Sequence, residues 1–401
     1  MEKQLTFNKS RFESIDILRG IVMLIMALDH VRDFFHAPAN LDDPLNLATT
    51  YPVLYFTRWV THFCAPVFVF LSGVSIYLQS LRKTKKQLSL FLIKRGLWLI
   101  FMEWAIISLA WTFDPLYHIF IMQVIWAIGI SMVILGLLIH LPYRIILVIG
   151  LLIVFGHNLL DIPESAPGFK AGFWWDLFHH GFFALYQWSP GRYFMMIYPF
   201  MAWTGLMMVG YCAGILFTER FSAAQRKKIL IRTGLGLIFL FILVRFINIY
   251  GDPAPWSKQN DSLYTFLSFM KLTKYPPSLL YLSITIGPAL LTLAFIEDIK
   301  NRFTNIMAVY GRTAFFYYIL HFYFIHTAGA IVFFIKGEHT VQEAINSMKN
   351  LPFLFIFPGE GFGLGIVYLI WICLIVVLYP LCKWYDKYKA THKEKWWLSY
   401  F

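Results

Sequence analysis

Apolar residues in this chain fill whole windows rather than alternating or striping them, and short polar or basic stretches separate one window from the next. Ten such segments begin near positions 15, 53, 91, 117, 143, 195, 229, 277, 305 and 363. Each runs for roughly 20 to 30 residues, enough to cross a bilayer as a helix. Lipid offers the backbone no hydrogen bonds, so spans of this length and composition are helical. The pattern predicts an all-α polytopic integral membrane protein of about 10 transmembrane helices. No repeat of 20 to 50 residues and no low-complexity tract divides it. One domain is expected over 1–401, with a polar tail at 1–14 and a basic tail at 386–401.

Composition agrees, with 59% apolar, 19% aromatic and only 14% charged residues. The charge is placed unevenly. Arg82, Lys83, Lys85, Lys86, Lys94 and Arg95 crowd one gap, and Arg220, Arg226, Lys227, Lys228 and Arg232 crowd another. The tail adds Lys383, Lys387, Lys389, Lys393 and Lys395. These gaps alternate, so the positive-inside rule puts both termini in the cytoplasm, and the net charge of +12 is mostly a record of topology. No nucleic-acid motif accompanies it, and the lipid bilayer is the partner it implies. Met1 to Ser10 is polar and leads into a span longer than a signal-peptide core, so the first span is expected to be retained. Cys64, Cys212, Cys373 and Cys382 show no CxxC spacing and read as packing residues.

The connections on the other side are long and rich in Pro, Trp, Tyr and His: 36–52, about 161–192, 251–277 and 336–361. Loops on a rigid helical scaffold are where an external substrate is selected. Trp174, Trp175, His179, His180, Trp188 and Trp256 offer stacking faces and polar tips suited to a sugar; the plain alternative is an interfacial aromatic belt.

The first span carries the chemistry. Asp29, His30, Arg32, Asp33 and His36 interrupt an otherwise apolar run, and ionisable groups at membrane depth mark a functional site by default. At 100° per residue, Asp29, Arg32, Asp33 and His36 fall in an arc of about 100°, with His30 beside it. Arg58, Thr61 and His62 recur at i, i+3 and i+4 in the second span, followed by Pro66. His321 and His326 lie in the ninth. Neutral imidazole takes a proton from an attacking amine or hydroxyl, and a carboxylate such as Asp29 or Asp33 can fix its tautomer. Structural ion pairs (Arg32 with Asp33, Arg58 with Asp29) and helix-to-helix hydrogen bonds are the plain reading of the same residues. No HExxH or comparable ligand pair occurs; His30 and His36 with a carboxylate are the one arrangement that could hold zinc, and no metal is expected.

Several segments carry a family resemblance: Ser14-Ile-Asp-Ile-Leu-Arg-Gly20, Ala27-Leu-Asp-His-Val-Arg-Asp33, 58–73 from Arg58 to Gly73, Lys274-Tyr-Pro-Pro-Ser-Leu-Leu280 and 311–321 from Gly311 to His321. Together they resemble a bacterial membrane family of unknown function grouped with the catalytic domain of heparan-alpha-glucosaminide N-acetyltransferase, in the transmembrane acyltransferase superfamily. The resemblance runs from about residue 11 to 385. It implies acetyl-CoA as the donor from the cytoplasm, a glucosamine-type acceptor on the far side, and acetyl transfer through a cavity between helices. By the resemblance, His36 corresponds to the lysosomal enzyme's catalytic histidine and His30 stands opposite its active-site asparagine. His30 replaces an amide and the interval between the two is shorter here, so His30 and His36 are both candidate bases, and Asp29 has no acidic counterpart at its place.

The expectation is therefore a membrane acyltransferase of the bacterial inner membrane, moving an acetyl group to an amine or hydroxyl of a sugar or amino sugar. Catalysis is expected from His36, His30, Asp29, Asp33, Arg58, His62 and His321, the last three as oxyanion donors. Arg19, Lys94, Arg95, Arg312 and Tyr317 are the candidates for binding coenzyme A near the inner helix ends. An acyl-histidine intermediate is an alternative to direct transfer. A proton-coupled transporter using the same His and Asp groups as a relay is the rival from another class, and a homodimer is left open.

Overall fold

The computed structural model describes residues 12–399; most of the expected N-terminal tail lies outside the described residues. In chain order the helices are α1 (Glu13–Phe35), α2 (Pro52–Thr61), α3 (Cys64–Ser80), α4 (Lys85–Met102), α5 (Ser108–Thr112), α6 (Val124–Leu138), α7 (Tyr143–Gly156), α8 (Asp161–Glu164) and α9 (Phe173–Trp175). They continue as α10 (Phe200–Ala213), α11 (Ala223–Ile247), α12 (Ser262–Met270), α13 (Leu279–Ile296), α14 (Arg302–Arg312), α15 (Ala314–Lys336), α16 (Val341–Ser347) and α17 (Leu364–Thr391). Among the described residues, seven helical segments are long and apolar enough to cross a membrane: 52–80, 143–164, 200–217, 223–247, 279–296, 314–336 and 364–391.

The other three expected spans are present as helices but differ in kind. α1 holds Asp16, Arg19, Asp29, Arg32 and Asp33, too many charges for a lipid-facing helix, and it is enclosed by α2, α3, α13, α14, α15 and α17. α4 carries Lys85, Lys86, Lys94 and Arg95 and passes through a wide π turn at Glu103–Ile107 into α5. The span expected from position 117 begins instead as a strand, β1 (Ile119–Met122), leaving only 15 residues for α6. A short apolar run has no period that separates buried strand from helix. Here β1 is recruited into a three-stranded sheet with the hairpin of β2 (Ala184–Ser189) and β3 (Arg192–Met196), in the order β1-β3-β2. β1 runs parallel to β3, and β2 antiparallel to it. A small sheet thus lies in the otherwise all-α protein, with β2 in the stretch 161–192 where a loop was expected.

Burial sorts the helices by neighbour. α3, α10 and α13 are mostly enclosed, while α7, α11 and α17 leave most of their apolar length exposed, including Phe239, Phe246, Leu369 and Val376. That exposed apolar surface is the one lipid would cover.

Two breaks in helical hydrogen bonding are repaired from outside the helix. Pro66 has no N–H for the His62 carbonyl one turn earlier, and the Tyr281 hydroxyl donates to that carbonyl at 2.8 Å. At the π turn, the fully buried Glu103 turns its carboxylate to the start of α6 and accepts the Trp126 N–H at 2.9 Å. A carboxylate at a helix N-terminus satisfies an orphan donor and matches the dipole.

Backbone contact sets the position of α1. A Cβ on Gly20 would stand 1.9 Å from the Met307 carbonyl oxygen, and one on Gly311 would stand 1.8 Å from the Asp16 carbonyl oxygen. No side chain fits between α1 and α14 there, so the crossing needs glycine from both helices. We expect Gly20→Ala and Gly311→Ala each to cost about 1–3 kcal/mol, the usual range for overpacking. A clearly lowered unfolding midpoint in detergent should show it, whereas Gly236→Ala, whose Cβ would meet open space, should leave the midpoint unchanged or raised.

Candidate functional site

Two cavities enter the bundle from its opposite ends. One, of about 790 Å³, opens among the long loops and is lined by Asp29, His30, Arg32, Asp33, Arg58 and His62. The other, of about 270 Å³, opens at the basic end beside the α1–α14 crossing and is lined by Arg19, Arg95, Arg312, Ser75, Gln79 and Tyr318.

At the floor of the larger cavity the charges are paired. Asp29 faces Arg32 at 3.0 Å across one helical turn and also pairs with Arg58 from α2. Arg32 reaches Asp33 at 2.5 Å. Arg58 further donates to Thr61 Oγ1 at 3.3 Å. Asp29 is therefore the carboxylate that two guanidinium groups share, and it joins α1 to α2. Removing one member of such a group leaves a buried charge unmatched.

His30 is oriented by another histidine, not by Asp29. Its Nδ1 lies 2.7 Å from His321 Nε2, and His321 Nδ1 lies 3.1 Å from the Tyr317 carbonyl. A carbonyl only accepts, so the network assigns the proton of His321 to Nδ1 and makes its Nε2 an acceptor. His30 must then carry its own proton on Nδ1, which leaves the lone pair on Nε2. Trp111 and Phe322 pack on the His30 ring, with centroids at 5.3 and 4.3 Å.

His36 takes a different path. α1 ends at Phe35, and His36 is already extended (φ −85°, ψ 122°) and bridged to Phe362. The helical stripe expected through position 36 stops one residue early, and His36 lies outside the cavity lining, 5% exposed. His62 lines the cavity, with its ring against Tyr281 at 5.2 Å.

At the basic end, Arg19 donates to Asp16 at 3.1 Å, to Ser75 Oγ at 3.0 Å and to the Gly311 carbonyl at 3.3 Å. Arg312 makes a two-point contact with Asp386 at 2.8 and 2.6 Å. Lys94 is exposed and lies outside the lining. Tyr317 is fully buried against Tyr310 and gives the site its carbonyl. Its neighbour Tyr318, one helical step around, lines the cavity instead.

Sequence reasoning passed over Tyr318, Lys274 and Tyr275 as site residues. The Tyr318 hydroxyl is buried with no hydrogen-bond partner among the described residues, and its ring stands edge-on to His30 and His321 at 6.5 and 5.4 Å. It touches the imidazole of one cavity from the wall of the other. Lys274 is only 9% exposed and lies 5.1 Å from the Tyr275 ring centroid. Its loop is knotted by Asp252, which accepts from Ser278 Oγ at 2.6 Å, Thr273 N at 2.9 Å, Ala254 N at 3.0 Å and Thr273 Oγ1 at 3.1 Å. Burial raises the Asp252 carboxyl above the ordinary Asp range, and these donors pull it back down. The loop tryptophans expected to stack a sugar do not line the cavity; Phe182, Phe183, Tyr198 and Tyr275 do.

Asp29→Asn should destabilise the protein by about 3–5 kcal/mol, because it strips two guanidinium groups of their shared counter-charge. Thermal unfolding of the single variant and of Asp29→Asn combined with Arg58→Met measures the coupling. Recovery of part of the loss in the double variant is expected; two independent, additive losses would contradict the shared pair.

No curated protein matches the chain. The sequence profile described as heparan-alpha-glucosaminide N-acetyltransferase, catalytic, does match, over residues 11–244. That span takes in the α1 stripe and the α2–α3 segment but ends before Lys274 and His321. With more than half of its length in the match, the chain belongs to the heparan-alpha-glucosaminide N-acetyltransferase catalytic family of membrane acetyltransferases.

Proposed function

We propose that the protein transfers an acetyl group from acetyl-CoA, held at the basic end, to an amine or hydroxyl of a sugar-type acceptor in the larger cavity. The observation that carries this reading is the contact between Tyr318 and His30. The two residues belong to cavities that enter from opposite ends, and their ring centroids are 6.5 Å apart. An acetyl group passed between them crosses the protein without either substrate doing so.

His30 is the general base. Its Nε2 lone pair takes the proton of the acceptor N–H or O–H as that atom attacks the thioester carbonyl. The resulting tetrahedral oxyanion needs a donor in a site shielded from water. The Tyr318 hydroxyl, buried and otherwise unpartnered, supplies it. Collapse breaks the C–S bond, and the proton on His30 Nε2 goes to the departing CoA thiolate. The imidazole ends neutral with its Nδ1 proton still donated to His321. Arg19, Arg95 and Arg312 line the donor cavity, where the phosphates of coenzyme A require positive charge. The charge pattern of the loops puts both termini in the cytoplasm, and the resemblance to bacterial membrane proteins favours a bacterial inner membrane, with the chain as one catalytic domain.

Acetyl-CoA should raise the unfolding midpoint of the detergent-purified protein more than an unrelated nucleotide does, by mass action on the native state. His30→Ala should keep that shift and lower turnover by about 10²–10⁴-fold, the usual range for a positioned base. His36→Ala should keep turnover within the same order of magnitude as the parent. Turnover surviving His30→Ala but lost in His36→Ala would transfer the role of base to His36.

A further inference from the structure

A second polar cluster lies at the loop-rich end of α7, outside both cavities. Asp161 and Glu164 stand one helical turn apart, and the fully buried His179 faces them from the turn after α9. One ligand atom from each of the three lies within 4.8 Å of the others. Each is held by a donor outside the trio or by a neighbouring imidazole. Asn158 donates to Asp161 at 2.7 Å, Trp175 Nε1 donates to Glu164 at 2.7 Å, and His179 Nε2 lies 3.2 Å from His157 Nδ1. Among the described residues no Lys or Arg forms an ion pair with either carboxylate. Two neighbouring carboxylates thus converge on an imidazole with no side-chain cation beside them.

We propose that Asp161, Glu164 and His179 form a binding site for a divalent transition-metal ion, zinc above all. One imidazole nitrogen with two carboxylates suits zinc, whereas calcium and magnesium favour all-oxygen sets with more ligands. His179 Nδ1 is the ligand atom, since it faces Glu164 at 2.7 Å. Tetrahedral ligands about 2.0–2.1 Å from zinc stand about 3.3 Å apart, so the ion replaces the proton in this contact and spreads it by about half an ångström.

The proton stays on the ring pair. In the metal-free network Nδ1–H of His179 donates to Glu164, and its Nε2 accepts from His157 Nδ1–H. With the metal on Nδ1, His179 carries its proton on Nε2 and donates to His157 Nδ1, the usual outer contact of a ligating histidine. His157 then holds its own proton on Nε2. That nitrogen is buried with no partner among the described residues, so the switch breaks no other hydrogen bond.

The position gives the ion a structural task. Asn158 Oδ1 also accepts the Leu279 N–H at the start of α13, at 2.9 Å. Phe182 and Phe183, which line the larger cavity, follow His179 by a few residues. Metal would therefore clamp the ends of α7 and α13 to the segment leading into β2, which walls the larger cavity.

The test strips the full-length protein with EDTA, adds zinc chloride, removes free metal by gel filtration and counts bound zinc by mass spectrometry. One zinc per chain is expected, with an unfolding midpoint raised by zinc and not by magnesium. Asp161→Asn and Glu164→Gln, both near-isosteric, should each lose the bound zinc. No retained zinc, or unchanged stoichiometry in both variants, would overturn the site. Should either variant fail to fold, X-ray absorption on the parent protein decides. One imidazole with oxygen ligands supports the site, and two imidazoles or sulfur rule it out.

Discussion

Burying an ionic stripe in the middle of an apolar bundle is the constraint from which the rest of this structure follows. Asp29, Arg32 and Asp33 ride on a helix surrounded by six others, where an unmatched charge would cost several kcal/mol. Each is matched: Asp29 by Arg32 and Arg58, Asp33 by Arg32. The matching explains why the short α2 caps the loop-rich end of α1, because it must deliver Arg58. It also explains the break after α2, where Pro66 frees the His62 carbonyl for Tyr281 of α13. The polar groups hold three helices in register around the larger cavity.

At the opposite end the helices meet backbone to backbone through Gly20 and Gly311. That crossing sets Arg19 and Arg312 on the rim of the smaller cavity. Between the two ends lies an aromatic partition of His30, Trp111, Tyr318, His321 and Phe322. Within it, the backbone carbonyl of Tyr317 fixes the proton of His321 and through it the proton of His30. A backbone acceptor cannot titrate or change tautomer, so the His30 ring is oriented by helix geometry rather than by a neighbouring charge. This separates the two tasks that the sequence left joined: Asp29 neutralises arginines, and His321 aims His30.

Much of this is written plainly in the chain. Charges that break an apolar run announce themselves, which is why the α1 stripe, Arg58, His62 and His321 were all recognisable. What escaped did so for physical reasons. Tyr317 and Tyr318 differ by one step of about 100° around α15, and only the enclosing helices decide which of them reaches the cavity. His36 fits a helical stripe on paper, but the helix stops at Phe35. Lys274 looks like a loop charge until Asp252 knots its loop down into the bundle. The segment at 117 is apolar enough for a span, yet β1 finds partners in a hairpin more than 60 residues away. The trio of Asp161, Glu164 and His179 matches no ligand spacing because a loop, not a motif, brings His179 back.

The most direct test of acetyl transfer through the bundle places the substrates on opposite sides of a membrane. Purified protein is reconstituted in sealed vesicles loaded with glucosamine, and acetyl-labelled acetyl-CoA is added outside. The account predicts labelled N-acetylglucosamine inside, with unlabelled CoA released outside in equal amount. Movement of intact sugar or of intact acetyl-CoA across the membrane, with the thioester unconsumed, would contradict it and make the protein a transporter.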